Sequence, residues 1–461
     1  TYWEEDPEAA VKALNNCYTY LGNMDEQLYS EAMTDNAYTK QPNDFTQNIG
    51  NGSYSTADSY VKQVWDGRYT GIRMCTQLLE NIDRVPDLDP ELKKRYIGEA
   101  KVLRAYNYYE LYTKFGDVPY TTKVLSIKES MSIARTDRAT VMANMLADLD
   151  EVINGNYLPA SYDADNKGRI TRWAAMAIKA KIYLFEGNWT QVKNITSTIM
   201  TEGGFRLFGS YAGLFEIANE YNSEVILDAQ YRPTSREHQM MYAFLPPSLG
   251  GYSQLSPLQE LVDSYIMLDG KTIRETGTSF DESNPYANRD PRLKATVMYT
   301  GNSYTLADGT EVVINCEKGE GKDGYGVGSD CSATGYYIKK YWDNTYRATL
   351  YSGLNPILIR YADILLMNAE ALAELGELDK TAWDATIKPI RDRAGFTLAS
   401  AVEFPEGASK DKLIEIVRNE RRSELALEGH RHKDIIRWRI ADDVLNGWCH
   451  GLKTNEVVGT D

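Results

Sequence analysis

Several patterns that mark common enzyme and membrane classes are absent from this 461-residue sequence. Its 4 histidines include no HExxH pair, so a zinc-peptidase site is not expected. No GxSxG turn, Walker loop or GxGxxG loop is present, which argues against nucleophile-elbow hydrolases and nucleotide-binding enzymes. No uncharged apolar run of roughly 18 residues occurs, so no helix is predicted to cross a membrane. We therefore predict no catalytic residue, no cofactor and no metal from motifs.

Basic charge is also in short supply. The 50 lysines and arginines are outnumbered by 66 aspartates and glutamates, which gives a net charge of -16 and an estimated pI near 4.9. Such a chain has no overall field that would attract nucleic acid phosphates or an anionic membrane face. Nucleic acid is therefore not expected among its partners.

Cysteine is rare too, and none of the 5 cysteines lies in a CxxC pair that would indicate zinc. Cys316 and Cys331 flank a glycine-rich loop. A bond between them would close about 15 residues and stabilise the fold by roughly 3 kcal/mol. The sequence leaves open whether they form a disulfide or remain two free thiols.

One short segment resembles a calcium-binding loop. Residues 163–168 read DADNKG, but Lys167 replaces an oxygen ligand and Ala174 replaces the final glutamate. A polar turn is therefore favoured over a calcium site.

Tyrosine, in contrast, is abundant, with 33 tyrosines against 10 phenylalanines. A buried core favours the ring without a hydroxyl group, whereas binding surfaces use amphipathic rings. Tyrosines at hydrated helix interfaces are expected to account for more than half of the 33, and the others are candidates for a ligand surface.

Residues 1–220 carry helical periodicity with local start and stop signals. Asp89-Pro90 predicts a long helix that continues to Lys114. Thr171 caps a helix with small alanines on one face, and Gly187 turns the chain back, as in a tetratricopeptide-like hairpin. The strict tetratricopeptide consensus is absent.

Two long segments lack helical periodicity. Residues 22–56 are rich in Asn, Asp, Gly, Ser and Thr and are predicted to form a long loop. Residues 221–350 contain three predicted strands, at 224–231, 311–315 and 335–342, separated by proline- and glycine-rich stretches. Irregular segments of this kind are where binding residues concentrate.

Helical patterns return after residue 350. Asn355-Pro356 predicts the start of a helix that Gly376 ends. A second helix is predicted from Asp379 to Ala394 and a third from Lys412 to Glu428. Pro389 lies inside the second helix, where it costs about 3 kcal/mol unless the helix kinks or restarts.

Three motifs resemble, in the same order, the C-terminal half of the SusD/RagB family of surface glycan-binding lipoproteins of Bacteroidetes. They are RYADILLMNAEA (360–371), RDRAG (391–395) and ERRSELALEGHR (420–431), and LQELVDSY (258–265) and RDPRLKATV (289–297) fit the same pattern. The resemblance covers nearly the whole chain and implies a single unit, 1–461, with a mostly α fold. Tetratricopeptide-like helical hairpins would form one frame from 1–220 and 351–461, and 221–350 would be an irregular ligand-binding insertion with short β-strands.

The resemblance also implies a function. The protein is expected to be a non-enzymatic glycan-binding protein that captures oligosaccharides and delivers them to a TonB-dependent, SusC-like transporter. It would lie on the extracellular face of the outer membrane, held by an N-terminal lipid anchor. The first residues, TYWEEDP, show no signal-peptide pattern, so the signal peptide and the lipidated cysteine are expected upstream of this chain.

Candidate sugar-stacking aromatics lie in segments without helical periodicity and beside polar groups that bind hydroxyls. They are Phe45 and Tyr54 in the first loop, near Asn43, Asp44, Asn51 and Ser53, and Tyr231 (beside Arg232), Tyr252 (beside Gly250-Gly251) and Trp342 (beside Asp343 and Asn344) in the insertion. Asn344 is itself a candidate hydroxyl ligand. Strand alternation over 335–342 provides an alternative, in which Trp342 points inward.

Charged residues of the C-terminal helices are predicted to be structural. Arg360, Glu420 and Arg421 lie in otherwise apolar helix layers, where charged groups persist only when they are paired. Acidic and basic residues three and four apart on one helix favour ion pairs over an acid/base site.

Two other classes of function stay open. A glycoside hydrolase would need two carboxylates held across a sugar bond, which a sequence with 66 acidic residues does not reveal. A tetratricopeptide-type scaffold would bind peptides in a concave groove. The long tyrosine-rich insertion argues against the scaffold.

Overall fold

Amphipathic helices form most of the protein, which the computed structural model describes over residues 2–40, 45–346 and 350–454. These ranges contain twenty α-helices and eight short β-strands. The helices are α1 (Tyr2–Glu5), α2 (Ala9–Tyr18), α3 (Met24–Tyr29), α4 (Phe45–Gly50), α5 (Ser59–Asn81), α6 (Pro90–Phe115), α7 (Ile127–Ser130), α8 (Arg138–Asn154), α9 (Arg172–Glu186), α10 (Trp189–Glu202), α11 (Met240–Phe244), α12 (Gln259–Ser264), α13 (Pro291–Thr296), α14 (Tyr361–Leu375), α15 (Lys380–Ala385), α16 (Ile387–Ala394), α17 (Ala399–Val402), α18 (Lys410–Glu424), α19 (Arg431–Trp438) and α20 (Ala441–Val444). The strands are β1 (Ala37–Thr39), β2 (Val225–Asp228), β3 (Leu255–Pro257), β4 (Val297–Met298), β5 (Ser303–Thr305), β6 (Glu311–Val313), β7 (Tyr337–Ile338) and β8 (Ile357–Arg360). The expected mostly α fold with short strands is confirmed.

The frame consists of long helices packed against their neighbours: α5 against α6, α6 against α8, α9 against α10, α10 against α14, and α14 against α18. In the α9–α10 hairpin, the Thr171 side chain accepts a hydrogen bond from the Ala174 N–H, and Gly187 ends α9 in the left-handed region at φ 70°. Ala174, Ala177 and Ala180 are fully buried, which lets the next helix approach closely. The predicted tetratricopeptide-like hairpin is confirmed. Over the described residues, no helix is long and apolar enough to span a bilayer.

The first predicted loop is more ordered than its composition indicates. Residues 22–56 contain α3, β1 and α4. The Asn23 side chain caps α3 by accepting from the Glu26 N–H at 2.7 Å, and β1 pairs antiparallel with β3. The expectation of a continuous loop is therefore wrong, because a cap and a distant strand supply the missing backbone partners.

Two short antiparallel strand pairs, β1 with β3 and β2 with β8, join the insertion to the frame, and two more, β4 with β7 and β5 with β6, lie within the insertion. The three predicted strands exist as β2, β6 and β7, each shorter than expected. Much of the backbone of 221–350 runs in turns between them.

The helix predicted from Asn355-Pro356 begins later than expected. Residues 357–360 form β8, which pairs with β2, and α14 starts at Tyr361 and ends at Leu375, with Gly376 as its C-cap. The cap-and-proline signal is wrong here because Ile357 and Ile359 bury their side chains in the sheet. The pairing of β8 with a distant strand outweighs a local preference.

Pro389 divides the second predicted helix. The chain leaves helical geometry at Thr386, where φ is -125° and ψ is -73°, and helix α16 restarts with Pro389 in its first turn. The first N–H groups of a helix have no intrahelical acceptor, so proline does no harm there. The third predicted helix ends at Glu424, four residues earlier than expected, and Glu428 follows in a turn.

A network of buried ion pairs joins the insertion to the C-terminal part. Arg360 donates to Glu224 and Glu424 at 2.7 Å and to Glu428 at 2.7–2.8 Å. We call the connected set the ion-pair network. Its basic members are Arg292, Lys340, Arg360, Arg391 and Arg393, and its acidic members are Glu224, Asp290, Glu420, Glu424 and Glu428. Five cations thus face five anions, and all of them are buried except Arg393, a partly exposed residue whose side chain is 5% exposed.

Glu420 and Arg421 occupy the places expected of structural ions. Glu420 pairs with Arg292 at 2.8 Å and with Arg391 at 2.9 Å inside the network. Arg421 lies next to it on α18 and donates to Asp363 at 2.6 Å and to Asp434 at 2.8 Å. Each ion has partners of opposite charge on other elements, so these pairs hold the helices of the frame together.

The structure also resolves the pairing of Cys316 and Cys331. Both thiols are buried and free. The Cys331 Sγ lies 3.4 Å from the Lys322 carbonyl oxygen, to which it donates. The disulfide that the sequence left open is not formed.

Candidate ligand-binding site

Two nearly parallel tyrosine rings form the most exposed aromatic pair of the insertion. Tyr242 lies on α11, and Tyr252 follows the turn after it, with ring centroids 5.5 Å apart and planes inclined by 11°. The Tyr252 N–H donates to the Tyr242 carbonyl oxygen at 2.8 Å, which fixes the two rings relative to each other. The Tyr252 side chain is 46% exposed, so it can offer surface to a ligand. We call Tyr242 and Tyr252 the tyrosine pair.

Glycine makes this arrangement possible. Gly250 adopts φ 85°, a left-handed conformation that favours glycine. At Gly251, a Cβ atom would lie 2.1 Å from the Leu245 carbonyl oxygen. The turn that brings Tyr252 back over Tyr242 therefore needs both glycines.

A second candidate, Tyr231, is half-buried beside a polar cluster. Its N–H donates to Asn355 Oδ1 at 2.6 Å, and its ring makes an edge contact with His238 at 5.3 Å. The Arg236 guanidinium lies 4.7 Å from the ring centroid and covers part of one face. Tyr231 is positioned firmly, but less of its ring is free than that of Tyr252.

Asn355 organises the polar groups next to Tyr231. Its N–H donates to Glu220 Oε1 at 2.8 Å and its Nδ2 to Asp228 Oδ2 at 3.1 Å. Gln230 donates to the other oxygen of Asp228 and accepts from the Tyr221 hydroxyl. We call Glu220, Tyr221, Asp228, Gln230 and Asn355 the Asn355 cluster. Side-chain amides and carboxylates of this kind are the groups that bind sugar hydroxyls.

Burial sets the protonation of the two carboxyl groups in the Asn355 cluster. It raises the pKa of Glu220 to about 7, with further contributions from Asp228 and Asp343. It raises the pKa of Asp228 to about 6, against the hydrogen bonds from Asn355 and Gln230. Near neutral pH, Glu220 can therefore either donate or accept a hydrogen bond.

Trp342 is largely committed to packing. Its Nε1–H donates to the Thr305 carbonyl oxygen at 2.8 Å. Its ring makes contacts with Tyr304 at 5.2 Å and Tyr346 at 5.3 Å.

Asn344 is exposed in the turn that follows Trp342. Asp343 stabilises this turn by accepting hydrogen bonds from the Thr345 N–H and the Ser352 hydroxyl.

Tyr54 and Phe45 stand apart from this group. Tyr54 is 53% exposed in the loop before α5, and none of the ring contacts of the described residues joins it to another candidate. Phe45 begins α4, but its side chain lies outside the described part of the chain, as do Asn43 and Asp44.

The structure thus places four of the six predicted residues in or near two described stretches, 342–346 and 350–355, with Tyr252 near them only through the turn that precedes it. Tyr231 bonds to Asn355, and its neighbour His238 pairs through its backbone with Ser352. Trp342 and Asn344 lie in the first stretch, and a Cβ on Gly250, in the turn before Tyr252, would lie 3.9 Å from Leu350 of the second. Sequence reasoning missed Tyr242 and the Asn355 cluster. Tyr242 lies in an apolar run typical of a buried helix, and Asn355 carried the signal of a helix cap.

His238 is a buried titratable group in this region, and its protonation affects the stability of the fold. Its ring is buried, and Nε2 lies 3.2 Å from the Leu354 carbonyl oxygen. Burial lowers its pKa from 6.5 to about 4, against opposing contributions from Leu354, Asp343 and Glu237. As the pH falls, the unfolded chain therefore binds a proton at His238 before the folded state does. The contribution of the neutral His238 to the free energy of unfolding is fully present above pH 6.5 and is lost as the pH falls towards 4.

We expect His238→Gln to remove this component, which amounts to roughly 3 kcal/mol at most. Thermal melts between pH 7.5 and about 4.5 should show a smaller loss of stability on acidification for the variant than for the parent. Other buried groups titrate equally in both proteins and cancel in the difference. Parallel melting curves across this range would contradict the assignment.

A separate depression in the described part of the chain lies away from this site. An open groove of about 510 Å³ lies along α18 and α19, lined by Arg418, Trp438 and Ile440 among others. The guanidiniums of Arg418 and Arg437 each lie 4.8 Å from the Trp438 ring, which leaves little of it free for stacking. Among the described residues, no group of His, Cys, Asp or Glu is arranged to hold a metal ion.

Two family models match the sequence. One, described as the SusD family, matches residues 214–457. The other, described as starch-binding and associating with the outer membrane, matches residues 9–184. Together they cover most of the chain, including the insertion and the helical frame on both sides of it.

Individual relatives and solved structures agree with these models. A SusD-like protein of Formosa agariphila is 26% identical over 96% of this chain and 88% of its own length. A SusD-like carbohydrate-binding protein of Bacteroides fragilis superposes with a TM-score of 0.87 at 28% identity, covering 98% of this chain and 90% of that chain. A laminarin-binding SusD-like protein shares the fold, with a TM-score of 0.73 at 24% identity over 94% and 92% of the two chains.

Proposed function

This chain belongs to the SusD family, and we propose that it captures oligosaccharides at the cell surface and delivers them to a TonB-dependent, SusC-like outer-membrane transporter. The family is one of carbohydrate-binding proteins associated with the outer membrane. We infer that the full-length protein is anchored to the extracellular face through an N-terminal lipid. The chain itself acts as a non-enzymatic binder.

The observation that carries glycan binding is the tyrosine pair, in which the Tyr252 ring is exposed. An aromatic face packs against the C–H face of a sugar ring, and the near-parallel rings of Tyr242 and Tyr252 extend that face. Asn344 is exposed in the insertion and supplies an amide for hydroxyl groups. Residues 221–350 act as the ligand-binding insertion, and 1–220 and 351–461 act as the frame within one unit.

The Asn355 cluster favours binding over hydrolysis. A hydrolase would need an acid and a second carboxylate facing the sugar bond. Here both oxygens of Asp228 accept from Asn355 and Gln230, and an oxygen of Glu220 accepts from the Asn355 N–H. The protein's own amide groups thus occupy these carboxylate oxygens. The carboxylates therefore order the cluster instead of positioning a nucleophilic water.

Isothermal titration calorimetry against a panel of purified oligosaccharides tests this proposal directly. The panel should include α- and β-linked glucans, galactans, xylans, mannans and fructans, and the same mixtures should be assayed for reducing ends. We expect saturable binding to at least one glycan and no release of reducing ends. Turnover of any glycan would replace the binder with a hydrolase, and no binding across the panel would count against a glycan ligand.

Transport is tested separately with the full-length protein in its native membranes. Solubilisation and affinity purification should recover a large β-barrel protein together with this one. Recovery of the lipid-anchored protein alone, under detergent conditions that preserve other membrane complexes, would contradict delivery to a transporter while leaving glycan binding intact.

A further inference from the structure

A rigid, exposed loop projects from the helical frame between α6 and α8. Its two ends meet in a backbone bridge, with the Val118 N–H donating to Thr136 at 3.2 Å and the Thr136 N–H donating to Val118 at 3.0 Å. We call residues 119–135 the α6–α8 loop. It carries the short helix α7 at its outer end.

Hydrogen bonds from the frame hold the base of the α6–α8 loop. The Tyr108 hydroxyl donates to the Thr121 carbonyl at 2.9 Å, and the Val124 N–H donates to Glu80 Oε1 at 2.8 Å. Arg73 donates to the Leu125 carbonyl at 3.2 Å. The base is therefore fixed to α5 and α6.

The outer end is ordered by a complete capping box. The Glu129 N–H donates to the Ser126 hydroxyl at 3.3 Å, and Glu129 Oε2 accepts from the Ser126 N–H at 2.8 Å. Ile127 and Met131 are four residues apart and lie on one side of this helical turn. They are 81% and 84% exposed. Two large aliphatic side chains are thus held in solvent by a preformed element.

The charge of the α6–α8 loop is opposite to that of the whole chain. The loop contains Lys123, Lys128 and Arg135 against Glu129, within a chain of net charge -16. Lys123 pairs with Glu129 at 3.7 Å. The side chains of Lys128 and Arg135 have no hydrogen-bond or ion-pair partner among the described residues.

We propose that the α6–α8 loop docks onto a protein partner, inserting Ile127 and Met131 into an apolar pocket whose rim is acidic. This inference rests on the proposed function, since the partner it assigns is the outer-membrane transporter. Burial of each aliphatic side chain is favourable, and the capping box lowers the ordering cost on binding because the turn is already formed. Acidic groups on the rim form ion pairs with Lys128 and Arg135.

Other occupants fit less well. Aliphatic side chains lack the flat face on which a sugar ring stacks. An anionic bilayer would attract the loop but repel a globule of net charge -16. A protein pocket with a local acidic rim matches two apolar side chains and two cations without requiring the whole surface to be basic.

The test compares full-length variants in native membranes. Ile127→Glu with Met131→Glu should reduce the amount of transporter that co-purifies by at least tenfold, and Lys128→Glu with Arg135→Glu should reduce it several-fold. Leu398→Glu with Ile436→Glu, which changes two other exposed aliphatic residues outside the insertion, serves as the matched control and should leave recovery unchanged. Melting temperature and glycan affinity of the purified variants should match those of the parent.

A photo-crosslinking residue at position 127 identifies the contact. We expect crosslinked peptides from the transporter in which apolar residues are flanked by Asp or Glu. Crosslinks to lipid alone would overturn the protein pocket in favour of the bilayer. Full recovery of the transporter with the Ile127 and Met131 variant would overturn the loop while the proposed function stands, and failure of the parent to recover any transporter would overturn both.

Discussion

Replacing Arg360 with methionine is expected to lower the free energy of unfolding by about 3–5 kcal/mol, or to prevent folding altogether. Methionine keeps much of the length of the side chain and removes only the guanidinium. Arg360 serves three carboxylates at once, those of Glu224, Glu424 and Glu428. Without it, four cations of the ion-pair network face five anions in a buried site, and an unpaired buried charge is strongly unfavourable.

The same change should leave a signature in the pH dependence of stability. Burial alone would raise the pKa of Glu424, but Arg393, Arg360 and Arg292 outweigh burial and hold the pKa well below its usual range. In the parent, this stability is present above pH 4.5 and is lost below it. In Arg360→Met, the carboxylate pKa values should rise, so the difference from the parent should shrink as the pH falls from 7 to about 5.

Chemical denaturation at several pH values measures both effects. Arg360→Met combined with Glu424→Gln restores equal numbers of cations and anions and should recover part of the lost stability. Arg274→Met, at an exposed arginine, is the matched control and should change stability by less than about 0.5 kcal/mol. A parent-like unfolding curve for Arg360→Met would show that the ion-pair network is not structural.

Replacing Tyr252 with alanine is expected to weaken glycan binding roughly tenfold, which corresponds to about 1.4 kcal/mol. The loss follows from removal of the more exposed ring of the tyrosine pair, while Tyr242 keeps its contacts on α11. Tyr252→Phe preserves the stacking face and removes only the hydroxyl group. It should retain most of the affinity if stacking carries the interaction.

Calorimetry with the glycan found in the panel measures this change, and circular dichroism checks the fold. Trp448→Ala removes an aromatic side chain that is 90% exposed but lies outside the insertion, and it should leave affinity unchanged. Tyr54→Ala tests whether the first loop contributes independently. Trp342→Ala should mainly lower stability, because the Trp342 ring packs on Tyr304 and Tyr346. Unchanged affinity in both Tyr252→Ala and Tyr54→Ala would place the sugar surface elsewhere.

Much of the helical frame followed from signals that act within one or two turns. Thr171 caps α9 and Gly187 ends it, because a side-chain oxygen and a left-handed residue satisfy backbone groups only a few residues away. The motifs that indicated the family, RYADILLMNAEA and ERRSELALEGHR, contain Arg360, Glu420, Glu424 and Glu428. These residues belong to the ion-pair network. The family motifs therefore contain several members of the network, although the sequence does not show which residues they pair with.

Where the predictions from sequence were wrong, pairing with a distant segment outweighed the local structural preference. Asn355 is a good helix cap in isolation, but β8 pairs with β2, and the Asn355 side chain binds the Tyr231 N–H and Asp228 instead. Segment 22–56 looked structureless because its strand partner, β3, lies more than two hundred residues later. Neither partner is visible in the local pattern on which the predictions relied.

The sequence by itself determined the family, the mostly α class, the hairpin frame and the presence of paired charges in apolar helix layers, because these depend on local periodicity, caps and composition. The tertiary structure alone decided which carboxylates meet Arg360, among them Glu224 at a separation of 136 residues. It also decided that Tyr252 lies against Tyr242 while the Trp342 ring packs on its neighbours. Such choices depend on which surfaces meet when the chain closes on itself, and contacts between remote segments leave no periodic trace in the sequence.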